Sequence, residues 1–160
     1  MTIDRKFVKA ATTTTNVAKS KTDMEKLARR YGAEGYAVSH DYVSGKAVIQ
    51  FLVPDSGKKG AEMVQVRIPI NLNVVFVALY GTAWMDPARR RRRLEQAERV
   101  AWRNLYLWVD AQMSAATVGL QTMTEAFYAH AAIGPNGERA IDYVQTLMDS
   151  SRLLTSGDPE

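Results

Sequence analysis

The chain has 160 residues, 46% of them apolar and 24% charged, with a formal net charge of +4 and no cysteine. That length supports one core rather than two, and the lack of cysteine excludes disulfides and thiolate zinc sites. The N-terminus has no continuous hydrophobic stretch of the signal-peptide kind, and the apolar run from Leu72 to Trp84 is too short and too polar-flanked for a bilayer span. A cytoplasmic setting without a membrane partner is therefore expected.

The charge is unevenly spread. Residues 1–30 hold eight Lys/Arg against three acids, residues 86–104 hold seven Arg against three, and residues 105–160 reverse to two Arg against seven acids. Such polarity suits a basic face for an anionic partner or head-to-tail packing of subunits. The Thr-rich first twenty residues share some composition with a transit peptide but read better as a flexible basic arm. Residues 21–154 then form a single α+β domain, followed by a disordered tail, 155–160.

In chain order, TDMEKLARRYGAEG predicts a helix capped by Thr22 or Asp23 and stopped by Gly32. Two strands follow, Gly35 to His40 and Lys46 to Val53, joined by the turn chemistry of DYVSG. From Glu62 to Ile68, Val64, Val66 and Ile68 alternate with Met63, Gln65 and Arg67, a third strand that Pro69 ends or confines to an edge. These three strands make an antiparallel meander. LNVVFVALYGTAW fits either a short strand or an apolar connection tucked under the following helix.

That helix is long and Arg-rich. Asp86 is its cap, Pro87 suits its first position, and no further Pro or Gly occurs before Gly119. Its stripe of Leu94, Ala97, Ala101, Leu105, Trp108 and Ala115, widened by Trp102, Val109 and Met113, faces a core, whereas its Arg-filled start belongs in solvent or on a partner. A C-terminal helical pair completes the domain, GLQTMTEAFYAHAAIG and ERAIDYVQTLMDSSRLL, with Phe127, Tyr128, Ile141, Val144 and Leu147 offering core surface.

No motif for catalysis is visible. His40 and His130 have no carboxylate at ligand spacing and read as structural, and neither GxSxG, a P-loop nor GxGxxG occurs. Asp41, Asp55 and Glu62 lie near strand ends, where a metal-dependent nuclease would gather its acids, but the strands themselves are apolar or neutral. No metal, no cofactor and no enzymatic activity are expected.

The most specific feature is the run Arg89, Arg90, Arg91, Arg92, Arg93, five guanidinium groups at the positive end of a helix dipole. It reads as a phosphate-binding surface, because Arg forks match phosphate oxygens. It also reads as a solvated face offset by Asp86, Glu95 and Glu98, or as a contact with the acidic half of another subunit. Arg99 and Arg103 continue the basic helix, and Lys46, Lys58, Lys59 and Arg67 extend the track across the sheet. Tyr42 is a candidate stacking platform, as are Tyr36 and Phe51 unless they belong to the core. Trp84, Trp102 and Trp108 read as packing residues.

The segments RRYGA (Arg30, Tyr31, Gly32, Ala33), Arg89 to Arg93 with Trp102, and Phe127, Ala129, His130 followed by Pro135, Asn136 and Gly137 resemble those of a family of small basic proteins of actinobacterial phages and prophages. The likeness covers roughly two thirds of the chain and fails at LNVVFVALY, where members look more polar. It implies a bacterial host cell and an accessory or inhibitory role, and it carries no activity or functional residues. The resulting expectation is a non-enzymatic protein that binds or anneals single-stranded DNA in replication or recombination and forms homo-oligomers. The alternative is a homo-oligomeric interaction module, modulating a host protein, whose Arg run serves subunit assembly.

Overall fold

A computed structural model of the chain describes residues 8–41, 43–56, 60–133 and 136–155. Its first helix, α1 (Val17–Arg30), starts earlier than the sequence suggests, because Asn16 and not Thr22 or Asp23 is the cap: its Oδ1 accepts from Lys19 N at 2.7 Å. The expected arm is correspondingly shorter. Ser20 is fully buried, and the backbone of residues 9–13 is held from the side, with Asn104 Nδ2 donating to Lys9 O and Gln96 Nε2 to Ala11 O and Thr13 O.

The meander forms as expected: β1 (Gly35–Asp41), β2 (Lys46–Pro54) and β3 (Met63–Asn71) are antiparallel in the order β1-β2-β3. Pro69 lies inside β3 without breaking it, because β3 is an edge strand and a missing N–H is tolerated there. Alternation fixes two faces. Ala47, Ile49, Phe51 and Val53 of β2 and Val66, Ile68 and Ile70 of β3 are buried on one of them. The other carries Ala37, Val48, Gln50, Arg67 and Pro69.

LNVVFVALY is not a strand: the apolar connection is a helix, α2 (Leu72–Tyr80), whose start Asn71 caps by accepting from Asn73 N and Val74 N. An apolar run without breakers satisfies its own backbone most readily as a helix once no strand edge is available to pair with it. It packs on α3 (Pro87–Thr117), the long helix, with Asp86 as cap and Pro87 in its first turn. Phe76 and Leu79 of α2 meet Ala97 and Val100 of α3 in a small cluster of their own. The larger core joins Met24 and Leu27 of α1 and the buried sheet face to Trp102, Val109 and Met113 of α3.

The C-terminal pair differs from expectation in length and burial. α4 (Met123–Phe127) is a single capping-box turn in which Thr122 and Glu125 satisfy each other's backbone N–H. A 3₁₀ turn (Tyr128–His130) follows, and the chain then runs along the free edge of β3, with Ala132 N donating to Gln65 O at 2.9 Å. That pairing ends the helix and covers an edge that would otherwise stay open. Phe127 is buried against Phe51 and Trp108. Tyr128, Ile141, Val144 and Leu147, expected in the core, are exposed, because α5 (Ala140–Thr155) stands away from the sheet and meets chiefly the 3₁₀ turn. The expected tail beyond Thr155 lies outside the described residues. Among those residues no helix is long and apolar enough to cross a membrane.

Candidate nucleic-acid interface

The arginine run occupies the first turns of α3, at the positive end of the helix dipole. Of the three acids placed to offset it, Asp86 spends its Oδ1 on Arg89 N at 2.9 Å. Glu98 acts electrostatically on Lys21 and His40. Only Glu95 meets the run, 3.5 Å from Arg91, and both side chains are largely exposed, so this pair stabilises little. Arg90 lies 5.2 Å over the Phe76 ring and Arg93 4.9 Å over Tyr80. Stacking of this kind covers one guanidinium face and leaves the N–H edges available for an oxyanion.

At 3.6 residues per turn, Arg89, Arg92, Arg93, Gln96, Arg99 and Arg103 share one stripe of α3, about 21 Å from first to last. Along it the arginines become progressively engaged by the protein. Arg99 donates through Nε and Nη2 to Gln96 Oε1 at 3.0 and 2.8 Å, and the same Gln96 amide ties down the 11–13 backbone. Gln96, Arg99, Tyr80 and the hydroxyl-bearing Thr12, Thr13 and Thr14 line an open recess of about 430 Å³. Arg103 is paired with Asp23 at 3.4 Å and lies over the Tyr106 ring. The stripe thus runs from free guanidinium groups through a polar recess to a structural ion pair.

Arg67 and Lys46 are not on this surface. Both occupy the sheet face opposite α1 and α3, where Arg67 Nη1 donates to Gly137 O at 2.9 Å. The sheet therefore stands between them and the α3 stripe, and the structure does not bring the two groups together. Lys58, Lys59 and Tyr42 lie outside the described residues. Phe51 is buried at the T-shaped contact with Phe127 and so is core, not platform. Tyr36 is half-buried on the same face and donates to Lys21 O at 3.4 Å; burial pushes its hydroxyl pKa up to about 12.

Trp84 is the residue that sequence reasoning placed wrongly. It is 89% exposed, in the loop between α2 and the Asp86 cap, immediately before the arginine run. The signal lay in its position: Gly81 and Pro87 bracket it outside every periodic stripe, so no helix face was available to bury it.

The histidines sit in the fold rather than at this surface. His40 Nε2 is 2.8 Å from Lys21 Nζ, which itself lies 4.6 Å over the Trp102 ring. Burial, then the Lys21 charge, lowers the His40 pKa, and burial lowers that of Lys21. His130 packs edge-on against Trp108, and its pKa is lowered by burial and then by Arg139.

Asp55 and Glu62 are neighbours across the end of β2 and β3, where Asp55 N donates to Glu62 O at 2.8 Å, but Asp41 does not join them. Asp41 accepts from Val43 N and Ser44 N in the hairpin turn, whereas Asp55 lies beyond the far end of β2, about 30 Å away at 3.3 Å per residue. There it accepts from Thr124 N and anchors α4. Among the described residues no three of His, Asp or Glu are grouped to hold a metal ion. No family model, curated protein or solved structure matches the chain.

Proposed function

We propose that the protein binds single-stranded nucleic acid, DNA in the first instance, through the start of α3 and without catalysing a reaction on it. The observation that carries this reading is the arginine run, offset only in part by Glu95, beside the exposed Trp84. Arginines at a helix N-terminus repel the dipole, and a phosphate backbone bound by their guanidinium groups relieves that cost. An exposed indole adds a flat surface on which any base stacks, which suits sequence-tolerant binding. The recess along the stripe offers threonine hydroxyls beside Arg99.

The test is anisotropy of labelled single-stranded and duplex DNA over a salt series, with the protein and a variant in which Arg89 to Arg93 are all Gln. Five phosphate contacts give a slope of log affinity on log salt of about −3.5 for single strands. The variant is expected to lose most of that slope without a fall in its unfolding midpoint. No binding at low salt, or a slope unchanged in the variant, overturns the reading. RNA in place of DNA decides between the two backbones.

A second reading, assembly through the arginine run, is favoured by the reversal of charge along the chain, seven Arg against three acids in 86–104 and two against seven in 105–160. It predicts that the same Gln variant changes mass on sizing rather than affinity for DNA.

A further inference from the structure

The arginine stripe of α3 ends in a place built differently from its start. Arg99, Gln96, Tyr80 and the three hydroxyls of Thr12, Thr13 and Thr14 line the recess of about 430 Å³, and among the described residues no carboxylate lines it. Arg93 lies 4.9 Å over the Tyr80 ring, which brings a second guanidinium beside it. The next arginine along the stripe, Arg103, is paired with Asp23. The succession of cations open to an anion therefore stops at the recess.

The threonine segment is shaped before any ligand arrives. Gln96 Nε2 donates to Ala11 O at 3.2 Å and to Thr13 O at 3.1 Å, and Thr13 N donates to Ala10 O at 2.9 Å. Ala10 keeps a φ of 56°, in the left-handed region that alanine rarely adopts, and is the only non-glycine residue with positive φ among the described residues. A residue held there by its surroundings points to a demand on the segment that follows. Thr13 Oγ accepts from Thr15 N at 3.2 Å, which leaves its O–H proton to donate, and among the described residues no acceptor takes a proton from Thr12, Thr13 or Thr14. Arg99 is fixed in plane by its two bonds to Gln96 Oε1 through Nε and Nη2. Its Nη1 has no partner among the described residues.

We propose that this recess is a phosphate-monoester subsite and takes the terminal phosphate of the strand bound along the arginine run. The inference rests on the single-strand reading above and adds where the end of that strand sits. Two features favour a terminal phosphate over an internal one. A monoester carries nearly two charges at pH 7 and three strong acceptor oxygens, and the recess sets a guanidinium and three hydroxyl protons around one place, whereas the run outside it supplies guanidinium groups alone. A strand continuing past the recess would meet Arg103 already neutralised and the Asp23 carboxylate beside it, so the track favours a strand that stops there. Because the threonine segment and the Arg99 plane are held in advance by Gln96, little ordering is left to be done on binding.

The experiment compares three short oligothymidines with an internal label, carrying a 5′-phosphate, a 3′-phosphate or hydroxyls at both ends, by anisotropy with the full-length protein at one low salt concentration. One phosphorylated strand is expected to bind at least about 10-fold more tightly than the hydroxyl-ended one, the value of one charge-assisted hydrogen bond, and which of the two it is gives the direction of the strand. The doubly changed Thr12→Val/Thr14→Val chain and, separately, Arg99→Lys are expected to bring that ratio close to 1, whatever they do to overall affinity; far-UV circular dichroism checks that both stay folded. Arg89→Gln/Arg92→Gln, outside the recess, should weaken all three strands alike and keep the ratio. Equal affinity of the wild-type chain for the three strands overturns the subsite and leaves the single-strand reading standing, and so does a preference that survives both recess variants, since the added charge is then held elsewhere. If no strand binds, the single-strand reading falls, and calorimetry with thymidine 5′-monophosphate against thymidine decides for the recess. Binding of the monophosphate that is lost in the threonine variant keeps a phosphate-monoester site for free nucleotides and removes the strand end from it; no binding removes the site as well.

Discussion

The two halves of α3 are one continuous helix in two different environments. From Pro87 to Val100 it meets α2 and, at Gln96, the 11–13 backbone, and its buried cluster is small: Phe76, Leu79, Ala97 and Val100. From Ala101 onward, Trp102, Val109 and Met113 are enclosed between α1, the sheet and α4. The first half therefore exposes arginine and has little apolar burial to lose, while the second holds the domain together. On the proposed reading, binding and stability are separated along a single element, and substitutions at the two ends should report on different properties.

The largest effect is expected at Trp102, which is fully buried. Trp102→Ala should cost about 3–5 kcal/mol, read as a fall in the urea midpoint, whereas Phe76→Ala in the small cluster should sit at the lower end of that range. Equal costs would break the contrast between the halves.

Next comes Trp84. Trp84→Ala should leave the unfolding midpoint within about 0.5 kcal/mol of the parent yet weaken single-strand binding by about 1–3 kcal/mol, the value of one stacked base. With Trp102 buried, quenching of the Trp84 emission on titration with unlabelled DNA offers an independent readout. A stability loss without an affinity loss would return Trp84 to a packing role.

Asp86→Ala removes the cap that accepts from Arg89 N and should cost about 1 kcal/mol. Part of that loss should return when Arg89 to Arg93 are Gln, because the dipole repulsion then disappears. A double-mutant cycle on thermal midpoints measures the coupling.

The smallest effect is that of pH. His40 and His130 both have pKa values lowered from 6.5, by burial first and then by Lys21 and Arg139 respectively. The folded state thus prefers neutral imidazoles, so their contribution is complete above about pH 6.5 and is lost as pH falls towards the lowered values. Urea midpoints at pH 7.5 and pH 5 should show this decline, and His40→Gln or His130→Gln should reduce it. A midpoint that rises on acidification would contradict the assigned environments.

Much of the fold was legible because local rules and burial agreed. Val64, Val66 and Ile68 alternate, and two of the three are buried on the core face. Asp86-Pro87 starts α3 where cap chemistry places it. The first cap was misplaced because Asn16, Thr22 and Asp23 are all good cap residues, and sequence alone does not show that Ser20 will be buried against the domain. At the candidate site the arginine run was visible as a run. Its extension through Lys46 and Arg67 was not tested by sequence, since period-two alternation tells which residues share a face but not which face meets the helices.

What the sequence determined by itself, then, is the set of elements with strong local chemistry: three strands, the capped Arg-rich helix, and the charge at its start, of which Glu95 offsets only a part. The tertiary structure alone decided that α2 is helical, that Arg67 and Arg89 lie on opposite sides of the sheet, and that Trp84 and, among the described residues, Ile141, Val144 and Leu147 of α5 are exposed. Periodicity records only that a residue is suited to burial. Whether it is buried depends on which other surface arrives to cover it, and that is fixed by contacts between residues far apart in the chain.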